Sequence, residues 1–200
     1  MIVRPVLLII LGMNVRGREN LPTDGPAIIV ANHNSHLDTL TLMALFPLRD
    51  LPKLRPVAAM DYFLKNKVLA WFALNIIGIL PLERGAIKKN PLADMEAALD
   101  RGEILILFPE GSRGEPEQRA SFKRGVAYLA KARPQTPVHP VFMHGLGKAL
   151  PKGSFFLVPF NCDVAAGEPL TWTEPVSSFM ETLEARINDL AEQSHVQPWE

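Results

Sequence analysis

Cysteine is almost absent from this 200-residue chain: Cys162 is the only one. No intrachain disulfide can form, and no Cys-based zinc cage can be built, which fits a reducing compartment. An excess of either charge is also absent. Lysine plus arginine equals aspartate plus glutamate at 21 each, for a formal net charge of zero. That excludes a globally basic nucleic-acid binder, and no nucleic-acid partner is expected. Long apolar runs are missing too. Residues 5–15 carry no charge between Arg4 and Arg16, and residues 68–82 carry none between Lys67 and Glu83. Both fall short of the ~18–20 apolar residues that a spanning helix needs. The first alanine is Ala27, so the first stretch lacks the small-residue cleavage site of a signal peptide. What remains is ordinary globular composition, 48% apolar and 21% charged, at a length that suits one domain.

Apolar runs of strand length alternate with helical patterns, and there is no internal repeat or low-complexity tract. Residues 27–31 (AIIVA) read as a buried strand between Asp24-Gly25-Pro26 and Asn32. Residues 104–108 (ILILF) are the clearest strand, after Gly102 and before Pro109. Further strands are expected at 56–60, 77–80, 140–143 and 155–160. Asn90-Pro91 signals a helix start with proline in the first position, and Gly102 its end. Residues 122–132 form another helix. A last one opens near Ser178, with Glu181 three residues on as a capping box and Met180, Leu183, Ile187 and Leu190 as its apolar stripe. This alternation predicts an α/β fold: a single domain with a mainly parallel central sheet flanked by helices. In such sheets the chemistry sits where the strands end.

Three clusters follow strand ends. The first is the segment 32–38, NHNSHLD. Five residues from His33 to Asp38 is the wrong spacing for one face of a continuous helix. It works if the helix starts between them, with Ser35-x-x-Asp38 as the N-cap box and His33 folded back from the incoming loop onto Asp38. A carboxylate on one imidazole nitrogen leaves the other as a base. Taken alone, the segment reads as well as a helix cap with two loop histidines. A metal site on His33, His36 and Asp38 lacks the ligand pairs such sites use. The second cluster is 108–114, FPEGSRG, with Lys123 and Arg124 near the next helix start. A tight turn, the planar fork of Arg113 and a helix N-terminus with cations make an anion site; in isolation the same segment is a solvated turn. It is neither a nucleophile elbow, since position 110 is Glu, nor a Walker loop. The third cluster, GILPLERG at 78–85, sets Arg84 just past an apolar strand. A lone arginine there is more often a solvated charge.

Together, in this order and spacing, the clusters resemble the glycerolipid acyltransferase family, which includes the 1-acylglycerol-3-phosphate acyltransferases. His33-x-x-x-x-Asp38 is similar to the family's first motif, GILPLER with Arg84 to its second, and FPEGSRG with Glu110, Gly111 and Arg113 to its third. The proline-flanked strand around Pro137-Val138-His139-Pro140-Val141 resembles the fourth, with His139 an unusual polar residue there. The resemblance implies one acyltransferase domain over 1–200: an apolar lead-in at 1–13, a motif-bearing core at 14–145, and C-terminal strands and a helix at 146–200.

It further implies transfer of a fatty acyl chain from acyl-CoA or acyl carrier protein to a lysophospholipid hydroxyl. The most favoured acceptor is 1-acyl-sn-glycerol 3-phosphate, which would become phosphatidic acid. His33 is the implied general base and Asp38 its orienting partner, with no acyl-enzyme. Arg84, Glu110, Gly111, Ser112, Arg113, Lys123 and Arg124 form the implied acceptor site, the amides around Glu110-Gly111 are candidate oxyanion donors, and no cofactor or metal is expected. Two other readings share this fold: an inactive lipid-binding or scaffold protein, and a hydrolase of acyl thioesters or lysolipids. Residues 49–67 hold a surplus of three positive charges directly before the apolar run containing Trp71 and Phe72. That pairing suits an anionic lipid surface, so a peripheral protein on the cytoplasmic face of a membrane is expected.

Overall fold

The apolar runs do become the centre of a sheet. The computed structural model describes residues 12–35, 37–60, 67–82, 90–111, 121–150, 158 and 160–194. Seven strands lie in one sheet: β1 Asn14–Arg16, β2 Ala27–Ala31, β3 Leu54–Ala59, β4 Leu80–Leu82, β5 Ile104–Leu107, β6 Val138–His144 and β7 Asp163–Ala166. Their order is β1-β7-β6-β2-β5-β3-β4. Every neighbouring pair is parallel except β6 with β7. Both β2 and β5 are buried at every position, because both faces of a parallel sheet are covered and alternation has no polar side to serve.

The covering helices are α1 Leu37–Ala44, α2 Lys67–Phe72, α3 Ala93–Asp100, α4 Gly125–Ala132, the single turn α5 Leu146–Ala149, and α6 Val176–Gln193. One core joins Ile29, Ile104 and Ile106 to Leu42 and Met43 of α1. The other joins Ile28, Val30, Leu105 and Leu107 to α3, α4 and α6. Successive strand residues therefore feed opposite cores. The 3-4-3 stripe of α6 is confirmed, since Met180, Leu183, Ile187 and Leu190 are all buried.

Several boundaries differ from the sequence reading. Residues 73–77 form a π-helical turn that extends α2 and ends at Gly78, whose φ of 75° is a conformation glycine adopts without strain. The strand expected at 77–80 therefore begins only at Leu80. Helix α3 starts at Ala93, because Asn90 Oδ1 accepts the Leu92 N–H at 2.9 Å and forms a turn first. Helix α4 starts at Gly125 rather than 122. Helix α6 starts at Val176 after Pro175, which leaves Ser178 inside the helix and dissolves the expected capping box. The strands β1 and β7 were not anticipated. Most of the expected strand at 155–160 lies outside the described residues.

His139 faces the α1 side of β6, beside Ile29, and is buried. Its Nδ1 lies 2.6 Å from the Asn20 carbonyl oxygen, while its Nε2 is buried without a hydrogen-bond partner among the described residues. An N–H donated from Nδ1 leaves Nε2 unprotonated, and a second proton would have no acceptor. Burial accordingly lowers the pKa of His139 from the ordinary 6.5, against a smaller upward pull from the Asn20 carbonyl. The unfolded chain then binds more protons than the native one just below that value, so stability rises with pH. This contribution is complete above about pH 6.5 and is lost as pH falls toward the lowered native value. Urea midpoints at a series of pH values from neutral to mildly acid should fall in the native sequence, and fall less in His139→Gln.

Candidate active site

The site is assembled by strand register. Val30 of β2 pairs with Leu107 of β5, and each chain then runs three residues past that pair, to His33 and to Glu110. The equal overhang brings the two together: the His33 backbone N–H donates to Glu110 Oε1 at 3.1 Å. Glu110 is buried, and this bond joins the first and third sequence clusters.

The loop after β2 is fixed from both sides. Asn32, buried, donates from Nδ2 to the Met143 carbonyl and accepts the Met143 N–H at Oδ1, both at 2.8 Å. Its side chain thus imitates one more step of the β2–β6 ladder after the strand has ended. Helix α1 starts within the cluster, as its spacing requires. Ser35 Oγ accepts the Leu37 N–H at 3.3 Å, and Asp38 Oδ2 accepts the Ser35 N–H at 2.8 Å, a capping box in which the hydroxyl serves the residue two ahead instead of three ahead.

The same Asp38 oxygen accepts the Asn34 N–H at 2.7 Å and contacts His33 Nδ1 at 2.9 Å. Asp38 is almost wholly buried, while His33 keeps 20% of its side chain exposed. One carboxylate oxygen therefore orients the ring and organises the helix start. With Nδ1–H directed to the carboxylate, Nε2 is the nitrogen that accepts a proton. Phe108 stacks on the imidazole, ring centroids 4.2 Å apart and planes inclined by 23°, which restrains the ring from its other face.

At the third cluster Gly111 has φ of 72°, and a Cβ there would come within 2.4 Å of Lys123 Nζ. Lys123 therefore lies across Gly111, its chain held by a 2.9 Å bond from its N–H to the Pro109 carbonyl. Arg124, exposed, immediately precedes α4, and its side chain makes no capping hydrogen bond there. The Gly111 N–H donates to the Phe108 carbonyl at 3.0 Å, so the turn itself uses one of the amides expected as oxyanion donors. Arg84, Ser112 and Arg113 lie outside the described residues. Asn32 and Phe108 were not singled out from sequence; the signal for each was its place as the first residue beyond a buried strand. Among the described residues, no group of three or more His, Cys, Asp or Glu side chains converges to hold a metal ion.

The histidine oriented by a buried aspartate, at the carboxyl end of a parallel sheet, lies within residues 12–144, the span that matches the Acyltransferase family model. The chain belongs to the glycerolipid acyltransferase family. Among the family's members, the chain is 32% identical over 149 residues to the chloroplastic 1-acyl-sn-glycerol-3-phosphate acyltransferase of Arabidopsis thaliana, covering 71% of this chain and 38% of that protein. It is 30% identical over 157 residues to the 1-acyl-sn-glycerol-3-phosphate acyltransferase of Pseudomonas aeruginosa, covering 76% of this chain and 57% of that one. The chain thus spans about two fifths of the plant relative's length. The acyltransferase fold extends over nearly all of it. The crystal structure of the Thermotoga maritima 1-acyl-sn-glycerophosphate acyltransferase, PlsC, superposes with a TM-score of 0.75, covering 94% of this chain and 74% of that one at 24% identity.

Proposed function

We propose that the chain transfers a fatty acyl group from an acyl thioester to the free hydroxyl of a lysophospholipid, with 1-acyl-sn-glycerol 3-phosphate as the preferred acceptor and phosphatidic acid as product. The observation that carries this reading is the 2.9 Å contact between His33 Nδ1 and Asp38 Oδ2. The acceptor named for the relatives supports the choice of lysolipid.

In this mechanism His33 Nε2 takes the proton of the acceptor hydroxyl as its oxygen attacks the thioester carbonyl. Asp38 stabilises the imidazolium that forms. The tetrahedral intermediate then collapses, the C–S bond breaks, and the thiolate leaves with the proton from His33. A positioned base of this kind is worth ~10²–10⁴ in rate. Lys123 and Arg124 supply positive charge for the acceptor's phosphate, and the family motifs add Arg84, Ser112 and Arg113. Glu110 serves by holding the His33 loop, since a carboxylate directed at a phosphate would repel it. The donor thiol is that of coenzyme A or of acyl carrier protein. The protein acts from the cytoplasmic side as a peripheral protein; among the described residues no helix is long and apolar enough to cross a membrane.

The test is acyl transfer followed by mass spectrometry, with a panel of lysolipids and both donors. A lysophosphatidic acid that gains one chain supports the reading. Free fatty acid released at the same rate with and without acceptor would make the protein a hydrolase. A folded protein inert across the panel would make it a lipid-binding member.

A further inference from the structure

The contact from His33 Nδ1 to Asp38 Oδ2 fixes one edge of the imidazole. It does not fix the plane of the ring. The torsion that turns an imidazole about its Cβ–Cγ bond is broad and lacks the sharp wells of an aliphatic side chain. A ring that tilts about the Nδ1 contact carries Nε2 sideways, away from the line of attack. Phe108 opposes that tilt. Its ring centroid lies 4.2 Å from that of His33 and the planes are inclined by 23°, so a flat face covers one side of the imidazole.

The placement of Phe108 follows from the strand that delivers it. Ile104 and Ile106 of β5 point into the core beneath α1, and Phe108, next in that alternation, packs against the same core. Asp38 reaches the imidazole from the first turn of α1, so edge and face are held by different elements. The four residues from Phe108 to Gly111 also touch His33 twice. Phe108 covers its ring, and Glu110 Oε1 accepts its backbone N–H at 3.1 Å. The Gly111 N–H closes this turn on the Phe108 carbonyl at 3.0 Å, which ties the two contacts together. Phe108 is only partly buried, whereas β5 before it is buried at every position.

We propose that Phe108 is a positioning residue for acyl transfer: its aromatic face sets the plane of the His33 imidazole and so aims Nε2 at the acceptor hydroxyl. The consequence for rate rests on the acyl-transfer reading; the alignment of the ring does not. What matters is flatness, not volume. Leucine or methionine fills the space but leaves the imidazole free to tilt, while tyrosine keeps the face.

The experiment pairs kinetics with nuclear magnetic resonance of the full chain labelled with ¹³C in its five histidines. The His33 ring signals are assigned by their loss in His33→Ala. A phenyl ring stacked on an imidazole shifts the imidazole protons upfield. The His33 signals should therefore lie upfield in the native protein, move back in Phe108→Leu and Phe108→Met, and stay upfield in Phe108→Tyr. With a lysolipid acceptor, Phe108→Leu and Phe108→Met should lower kcat about 10–10²-fold, approaching the loss from a misplacement of about 1 Å, with KM little changed. Phe108→Tyr should recover most of that loss. Circular dichroism should be native in all three. His33 signals without an upfield shift in the native protein would overturn the proposal before any variant is made. Native kcat in both aliphatic variants would overturn it too, as would a loss in Phe108→Tyr equal to theirs, which would mean that volume is what counts. A raised KM at native kcat would make Phe108 a substrate contact instead. Signals that move as expected in a protein inert toward every lysolipid would support the ring alignment and sink the acyl-transfer reading.

Discussion

Replacing His33 with alanine should reduce acyl transfer by ~10²–10⁴-fold, the range for a positioned general base, while the protein stays folded. The separation of the two effects follows from what the side chain contacts. Asp38 Oδ2 keeps the Asn34 and Ser35 N–H donors when the imidazole is gone, so the start of α1 survives. The bond to Glu110 comes from the His33 backbone, which alanine retains. The ring is also partly open to solvent, unlike Asp38, so its removal leaves a shallow dent instead of a sealed cavity. Product formation by mass spectrometry and the urea midpoint, measured on the same preparation, check both halves. A variant that unfolds would overturn the structural half, and one that transfers at the native rate would end the general-base assignment.

The second large effect belongs to Asp38, and there activity and stability should fall together. Asp38→Ala removes the acceptor of two buried backbone N–H groups and the imidazole. Each buried donor left unsatisfied costs ~1–3 kcal/mol, so a loss of several kcal/mol is expected, large against a typical ~5–15 kcal/mol total. Asp38→Asn is the informative partner. Its amide oxygen still accepts the helix-start donors, and most of the stability should return. The charge that stabilises the imidazolium does not return, so transfer should stay low. Equilibrium unfolding of both variants beside their transfer rates separates the two roles. If Asp38→Asn restored full activity, the carboxylate would be a cap alone.

How much of this was legible depended on how far apart in sequence the interacting parts lie. The pairing of His33 with Asp38 was readable because the five-residue spacing admits few solutions and Ser35 marks where the helix starts. Strands β2 and β5 were readable because a strand buried on both faces is an unbroken apolar run. Strand β7 was not; Asp163–Ala166 is short and opens with a charged residue, and its pairing with β1 depends on a partner nearly 150 positions away. The start of α6 was misplaced because Pro175 sets the boundary without any side-chain cap, whereas Ser178 and Glu181 imitate one. Sequence placed Glu110 in the acceptor site, but its contact with the His33 backbone could not be read there. It follows from β2 lying beside β5 in one particular register, and sheet order is a property of the whole chain.

That register also determines which changes the site can absorb. His33 and Glu110 sit at the same count beyond one ladder pair, like two rods of equal length set in a common block. Substituting along either rod alters the chemistry at its tip and leaves the spacing intact. Adding or removing one residue between the ladder and the tip moves that tip by about 3.3 Å and reverses its face, so the two no longer meet. Redesign for another acceptor should therefore exchange residues at fixed count, and any change of length belongs beyond Asp38 and Gly111, where nothing is being measured against the opposite strand.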